Sequence, residues 1–287
     1  MRKTLLVLVL LFQTQTKLAQ AFWIGDHAML TQKAVLGLQN CGFLPQNWDQ
    51  NLLTTLVNAN RDEDLNLFRK WTYYSHYYNP YKVLNMRRAD SSVTIHETTD
   101  SLMKLIQNRS QDPQARQDLY ELMGRAIHHI QDATVPAHVT PISHFNNDGF
   151  EAYDVFGYEE QGARDVLYCK KLAELKPNSL QDILYATAVQ TLSTLDTNVI
   201  LFKNNAIEKH KWSEVFWVQD ARNNFGTYGL LKNNFGTSEF SVGDDSFYIA
   251  PTEYDALKAK QYDLAILTTQ EALLWMLRNS PYLHNVE

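Results

Sequence analysis

Residue types that bind metal ions are concentrated at the end of one helical stretch of the sequence and just after it. His128 and Asp132 are four residues apart, so a helix places both side chains on one face. One such pair is typical of a solvated helix surface, but His138 and His144 follow shortly after it. Imidazole nitrogens and carboxylate oxygens that can be directed at one ion suit zinc. The sequence therefore predicts a zinc site at the end of this helix.

An apolar stripe predicts the helix that carries the pair. Apolar residues recur at three- and four-residue spacing between 115 and 132, namely Leu119, Leu122, Met123, Ala126, Ile127 and Ile130. Pro136 must end this helix, because proline has no N–H and disfavours helical geometry in the residue before it. A second proline, Pro141, precedes His144. We expect His138 and His144 to lie on a loop that bends back towards the helix.

The remaining elements are also predicted to be helical. Similar stripes indicate a helix from His27 to about Asn40 and further helices over 51–59, 97–110, 159–175, 179–202 and 262–277. No alternating apolar pattern longer than a few residues occurs. The predicted fold class is therefore all-α, a single helical domain with antiparallel helices around the metal-bearing ones.

The segment 212–255 differs in composition and predicts a long structured loop or a small hairpin. It is rich in Asn, Gly, Phe and Asp, and the pentapeptide Asn-Asn-Phe-Gly-Thr occurs in it twice. Its aromatic side chains could either enter the core or make a transient contact with a membrane surface, and they are Trp212, Phe216, Trp217, Phe225 and Phe235.

The first 21 residues have the features of a secretory signal peptide. Arg2 and Lys3 precede an apolar run, and Ala19-Gln20-Ala21 is a small-x-small cleavage site. We therefore expect a secreted or periplasmic protein whose domain covers residues 22–287. Cleavage removes three basic and no acidic residues, so the net charge becomes more negative than −6. An acidic mature protein is a poor nonspecific binder of polyanions.

Two cysteines remain in the exported chain, Cys41 and Cys169. Export permits a disulfide, but sequence alone cannot place the two within bonding distance. Neither lies in a C-x-x-C motif, which makes thiolate ligation of zinc a poor interpretation. A disulfide and a buried free pair both remain open.

A second group of candidate residues lies earlier in the chain. Arg61 is followed by Asp62, Glu63 and Asp64, a run that is usually a solvated loop or a helix start. Fourteen residues after Asp62, His76 stands in an aromatic stretch that ends in the turn signal Asn79-Pro80. The aromatic residues could equally be simple packing.

Two motifs resemble a known family. Ser-His-Tyr-Tyr-Asn-Pro at 75–80 is similar to the S-H-F-Y-D-P of the bacterial zinc-dependent phospholipases C. The pattern H-x3-D-x5-H over 128–138, with proline two residues before the last histidine, is shared with them and with the related fungal single-strand nucleases. The resemblance implies an all-helical fold with three zinc ions, and its motifs cover about residues 22–160.

The resemblance also implies ligands for the first two ions. His76, His128 and Asp132 hold one zinc. Asp132 bridges to the second, which His27 completes together with the amino group and carbonyl of the mature first residue, Phe22. Cleavage after Phe22 instead, leaving Trp23 first, is the alternative.

For the third ion the resemblance implies His138, His144 and Glu151. Asp148 fits the usual His-x3-acid spacing, whereas Glu151 fits the aromatic-Glu context of the family, and Glu151 is our choice. Asp62 resembles the carboxylate that orients the attacking water, because its spacing to His76 matches the phospholipases. Asp64 is the alternative.

The implied function is phosphodiester hydrolysis, first of all by a phospholipase C that acts on phospholipids. Its predicted substrate-binding residues lie beside the acidic run and the aromatic stretch, and they are Glu63, Tyr73, Tyr74 and Tyr78. A nuclease acting on single-stranded nucleic acid is the second hypothesis, supported by the amino-terminal spacing. A non-catalytic, zinc-stabilised binding protein is the third.

Overall fold

The computed structural model of the chain describes residues 24–65, 76–81, 91–107, 113–144, 148–155, 166–220 and 225–280. The predicted signal peptide, Phe22, Tyr73 and Tyr74 lie outside the described residues. The helices are α1 (Ile24–Asn40), α2 (Gln50–Asp62), α3 (Ser91–Gln107), α4 (Pro113–Asp132), α5 (Pro136–Val139), α6 (Gly149–Ala152), α7 (Val166–Glu174), α8 (Leu180–Leu195), α9 (Trp212–Val215) and α10 (Pro251–Asn279). The strands are β1 (Asn198–Lys203), β2 (Ala206–Lys211), β3 (Trp217–Val218), β4 (Thr227–Tyr228), β5 (Glu239–Val242) and β6 (Asp245–Tyr248).

Helix α4 is the centre of the helical part of the molecule. It contacts α1, α2, α3, α8 and α10. Its predicted apolar stripe is buried, with Met123, Ala126, Ile127 and Ile130 fully removed from solvent. The helix ends at Asp132, as the proline at 136 predicts, and α5 starts with that proline at its first position. The core thus fixes the position of the helix end that carries His128 and Asp132.

Helices α2 and α4 approach each other closely at Gly124. A Cβ atom at this position would meet the backbone carbonyl of Leu56 and would lie 2.9 Å from Cβ of Ala59. Only glycine permits this separation, because the obstructing atoms belong to the backbone and to a short side chain that cannot rotate away.

The expectation of an all-α fold is wrong for the region from 198 to 248. Four strands form an antiparallel sheet in the order β2-β1-β6-β5, and β3 pairs with β4. The helix predicted over 179–202 ends at Leu195, and β1 begins at Asn198. In β1 the side chains of Val199 and Leu201 are buried while Ile200 between them is exposed, which is strand alternation.

The turn between β1 and β2 shows a sequence signal for a hairpin. Asn204 and Asn205 adopt φ values of 49° and 68°, and Lys203 pairs with Ala206 across them. Asparagine tolerates this left-handed geometry better than most residues, so an Asn-Asn pair suits a two-residue hairpin turn.

The aromatic residues of the 212–255 segment mostly form a second core beneath this sheet. Trp212, Phe216, Trp217 and Phe235 are each at most 5% exposed. The Phe235 and Tyr254 ring centroids lie 4.7 Å apart, an edge-on contact that joins the segment to α10. These four side chains therefore enter the core, which is one of the two alternatives left open for this segment.

A disulfide joins Cys41, at the end of α1, to Cys169 in α7. Their Cα atoms lie 5.3 Å apart, within the usual range for a bridge. Among the helices described here, none combines the length and apolar character needed to cross a bilayer.

We expect Gly124→Ala to lower the free energy of unfolding by about 1–3 kcal/mol, because the new methyl group forces α2 and α4 apart. Glu121→Ala, at an exposed position one turn earlier in α4, is the control. Chemical denaturation measures both. Equal stability of the two variants would show that the helices can separate without cost.

Candidate metal centre

The carboxylate of Asp132 is the point at which four histidines meet. Oδ2 of Asp132 lies 2.7 Å from Nδ1 of His76, 3.4 Å from Nε2 of His128 and 3.8 Å from Nδ1 of His138. Oδ1 lies 3.6 Å from Nε2 of His27. All five side chains are buried, and Asp132 is fully removed from solvent. The structure therefore brings together histidines from α1, from the segment 76–81 and from both sides of the proline at 136.

Asp64 also belongs to this group. Its carboxylate oxygens lie 3.8 Å from Nε2 of His27, 3.9 Å from Nδ1 of His76 and 3.7 Å from Nε2 of His128. We call this set the first cluster, and its members are His27, Asp64, His76, His128 and Asp132.

The structure does not bring Asp62 into the first cluster. The Asp62 side chain is 47% exposed and accepts a hydrogen bond of 2.7 Å from Nε of Arg61. It lines a groove between α2 and α4 together with Glu121 and Arg125. The geometry thus favours Asp64, the alternative carboxylate, over Asp62 for any role at a metal ion.

The acidic run that contains Asp64 lies where helix electrostatics disfavour it. Residues 61 and 62 end α2 and residues 63–65 form the following turn, so the carboxylates face the negative end of the helix dipole. Asp62 and Glu63 have arginine partners, Arg61 and Arg125. Asp64 is buried against imidazoles instead, which is an arrangement that a cation would stabilise.

Hydrogen bonds on the far side of the rings set the orientation of two histidines in the first cluster. Nδ1 of His27 lies 2.7 Å from Oε1 of Gln131, and Nδ1 of His128 lies 2.9 Å from the backbone carbonyl of Asn60. Each Nδ1–H donates to its oxygen, so in the neutral ring the Nε2 lone pair is directed towards the carboxylates. Metal-binding histidines in proteins are typically held in this way.

A second cluster consists of His138, His144 and Glu151. Nε2 of His138 lies 3.3 Å and Nε2 of His144 lies 3.0 Å from Oε1 of Glu151. Nδ1 of His138 donates to the carbonyl of His76, at 2.7 Å, and Nδ1 of His144 to that of Ile142, at 2.6 Å. The second cluster repeats the orienting pattern of the first, and His138 connects the two through Asp132.

Asp148 has structural partners rather than a place in the second cluster. Its Oδ1 caps α6 by accepting from the backbone N–H of Phe150 at 2.8 Å. Its Oδ2 accepts a hydrogen bond of 2.7 Å from the hydroxyl of Tyr228. The geometry therefore places Glu151, and not Asp148, with the two histidines.

The buried carboxylates of both clusters would be stabilised by a cation. Burial lowers the pKa of His128, but the carboxylates of Asp132 and Asp64 outweigh it and raise the pKa to about 9. Burial likewise disfavours charged His144, yet Glu151 raises its pKa to about 9. Burial alone would raise the pKa of Glu151, but the neighbouring His144 holds it below its usual value. A divalent cation would satisfy the same carboxylates in place of these protons.

Buried ligand atoms that make no hydrogen bond also indicate that these residues fit zinc. Oδ2 of Asp64, Oδ1 of Asp132 and Nε2 of His76 are buried and make no hydrogen bond within the described part of the chain. Potential ligand atoms lie within 4.8 Å of one another in four sets, each of three residues: His27, His128 and Asp132; Asp64, His76 and His128; His76, His129 and Asp132; His138, His144 and Glu151. Mixed imidazole and carboxylate sites of this size suit zinc.

Two of the predicted substrate-binding residues, Glu63 and Tyr78, lie in the described part of the chain. Glu63 is buried, and its carboxylate lies 3.1 Å from Nε of Arg125. Tyr78 is partly buried and packs against the helical core. Neither His129 nor Tyr77 is among the site residues predicted from the sequence. Tyr77 is buried with its ring centroid 5.2 Å from that of His138.

Comparison with known proteins gives little further information. No protein-family model matches the chain, and no curated protein matches it. One solved structure to which it is similar is that of Clostridium perfringens alpha-toxin isolated from avian strain SWCP, with a TM-score of 0.47 and 13% sequence identity. The similarity covers 94% of this chain and 66% of that chain, so this chain spans just under two thirds of the alpha-toxin structure.

Zinc should stabilise the folded protein, because the clusters form only on folding. At zinc concentrations about 1,000 times Kd we expect a gain of about 4 kcal/mol in the free energy of unfolding for each ion bound. Thermal unfolding with zinc and with a chelator measures this gain. Magnesium, which prefers oxygen ligands, is the control and should have little effect. Identical unfolding in zinc and chelator would contradict a metal centre here.

Proposed function

We propose that this protein is a secreted, zinc-dependent phosphodiester hydrolase, most specifically a phospholipase C that cleaves the head groups of phospholipids. The observation that carries the proposal is the meeting of both clusters at Asp132. Its carboxylate reaches His27, His76 and His128 on one side and His138 on the other. Several cations held this close together can act on one phosphate group.

Different residues of the chain would have different roles in the reaction. Bound zinc would supply Lewis acidity and lower the pKa of water at the site. Asp64 would orient the attacking water and accept its proton, because its oxygens reach histidines of the first cluster and Oδ2 makes no hydrogen bond among the described residues. His138, His144 and Glu151 would hold the ion that neutralises charge on the leaving group.

The choice of phospholipid as substrate depends on the motif at 75–80. Within it, Tyr77 and Tyr78 lie beside the second cluster and the helical core, and Tyr73 and Tyr74 precede it in the chain. Tyr77 is buried, so a cationic head group would be received by the rings of Tyr73, Tyr74 and Tyr78. A single-strand nuclease remains the alternative, since the same rings could stack on bases.

The direct test is a pair of assays on the zinc-loaded and the chelated protein, one with phospholipid vesicles and one with single-stranded DNA. We expect zinc-dependent release of a phosphorylated head group and slower attack on DNA. The reverse ranking would favour the nuclease. Tight zinc binding without hydrolysis of either substrate would favour the non-catalytic binding protein.

Substitution of the two candidate carboxylates tests the mechanism. We expect Asp64→Asn to lower kcat by about 100-fold or more, because a positioned general base typically contributes that much. Asp62→Asn, at the neighbouring exposed position, should behave like the parent protein. The zinc content of both variants must be measured, so that lost metal is not mistaken for lost catalysis. A larger effect at Asp62 would overturn this assignment.

Contact with a lipid surface is part of the proposal, and we assign it to the outer face of the sheet. Ile200 and Ile207 are 46% and 70% exposed there. Ile200 pairs with Lys209, and Phe202 on the same face pairs with Ile207. Apolar side chains bordered by lysine suit an anionic bilayer.

We expect Ile200→Ser combined with Ile207→Ser to weaken binding to anionic vesicles by about 100-fold or more, since each buried isoleucine contributes about 1.5–3 kcal/mol and about 1.4 kcal/mol corresponds to a factor of ten. Vesicle co-sedimentation measures the change, and Leu36→Ser, an exposed site on α1, is the control. Hydrolysis of a soluble short-chain substrate should be unchanged. Equal vesicle binding by all three proteins would rule out this face.

A further inference from the structure

Lys258 of α10 is a lysine that lies wholly inside the protein. It has no exposure to solvent, although lysine is almost never fully buried unless it is paired. Burial lowers the pKa of its ammonium group to about 8, and at neutral pH the group still carries its charge. Because a buried charge costs free energy, packing alone does not explain a lysine at this position.

The ammonium group lies close to two segments that carry cluster residues. Nζ of Lys258 donates to the backbone carbonyl of Phe150 at 2.7 Å, and Oδ2 of Asp26 lies 3.9 Å from the same nitrogen. Phe150 directly precedes Glu151 of the second cluster, and Asp26 directly precedes His27 of the first. One side chain of α10 thus contacts both segments.

Further contacts fix the position of the ammonium group. Nζ lies 4.3 Å from the ring centroid of Phe150 and 5.0 Å from that of Tyr262, both within the range of a cation–π interaction. Tyr262 is four residues after Lys258, so the two side chains share a face of α10. The hydroxyl of Tyr262 donates at 2.7 Å to Oδ2 of Asp26. Lys258 and Tyr262 therefore hold the start of α1 together.

Helix α6, which carries Glu151, needs such external support. It has four residues, and a single helical turn is not stable by itself in water. The carbonyl of Phe150 accepts from the backbone N–H of Tyr153 at 3.3 Å, whereas Lys258 donates to it at 2.7 Å. A hydrogen bond from a charged donor is also the stronger of the two kinds. The lysine is thus the main contact that this carbonyl makes among the described residues.

We propose that Lys258 is a positioning residue for the second cluster, whose hydrogen bond to Phe150 holds the turn that presents Glu151 to His138 and His144. Oε1 of Glu151 lies 3.3 Å and 3.0 Å from Nε2 of these histidines, so a displaced turn would change the geometry of all three ligands. The inference rests on the proposed zinc centre and adds to it a residue of α10 that does not itself bind metal.

The experiment is a double-mutant cycle on zinc affinity, measured by chelator competition for the parent protein, Lys258→Met, Glu151→Gln and the double variant. Methionine has a similar length and removes the N–H donors. We expect Lys258→Met to weaken one zinc ion by about 10- to 100-fold, the usual cost of losing a group that orients a ligand. In the Glu151→Gln background it should have little further effect, because the two residues act as a unit. Lys260→Met, at an exposed lysine of the same helix, should match the parent protein.

Chemical denaturation of the chelated proteins separates positioning from a purely structural role. A lysine that served only the fold would change the stability of the zinc-free protein and leave the zinc affinity of the folded protein unchanged. That result would overturn the inference, as would an equal loss of affinity in both backgrounds of the cycle.

Far-UV circular dichroism shows whether Lys258→Met folds. If it does not, Asp26→Asn is combined with it to remove the negative charge that the lysine balances, and the cycle is repeated with Asp26→Asn as the reference. A parent protein that binds no zinc would contradict the proposed zinc centre and this inference together. Full zinc binding with unchanged affinity in Lys258→Met would contradict the inference alone.

Discussion

The structure depends on the burial of one carboxylate. Asp132 has no exposure to solvent, and a buried charge is tolerated only where opposite charge or hydrogen-bond donors surround it. Imidazoles from four separate places in the sequence surround it and meet this requirement at Oδ2, whereas Oδ1 makes no hydrogen bond among the described residues; they belong to His27, His76, His128 and His138. The helices that carry or support them must therefore converge on the end of α4. This explains why α4 is the element that the other long helices contact.

Backbone carbonyls orient two histidines of the centre. His128 donates to the carbonyl of Asn60 near the end of α2, and His138 donates to the carbonyl of His76. The last carbonyls of a helix have no partner within it, so they are available to a side chain from elsewhere. These carbonyl oxygens, which would otherwise need a hydrogen bond from water, thus determine which ring nitrogen faces the carboxylates. The end of α2 therefore determines the orientation of His128.

The sequence predicted those parts of the site and fold that depend on local periodicity. The spacing of His128 and Asp132 and the break at Pro136 were sufficient to predict the end of α4. The choice between Asp62 and Asp64 was not predictable, because it depends on where α2 ends and how it is rotated against α4. Strand β1 was missed because its apolar run continues directly from α8. The φ values of Asn204 and Asn205 show that the Asn-Asn pair carried a usable hairpin signal.

The position of the acidic run connects stability with the proposed chemistry. Carboxylates at the end of a helix are disfavoured by its dipole, and two of the three are compensated by Arg61 and Arg125. Among its described contacts Asp64 faces imidazoles instead. The carboxylates raise the pKa of His128 to about 9, whereas burial, followed by repulsion from His128, lowers the pKa of His27 to about 4. A fold optimised for stability alone would place a neutral side chain at this position. A cation bound in the first cluster would compensate the charge of this carboxylate.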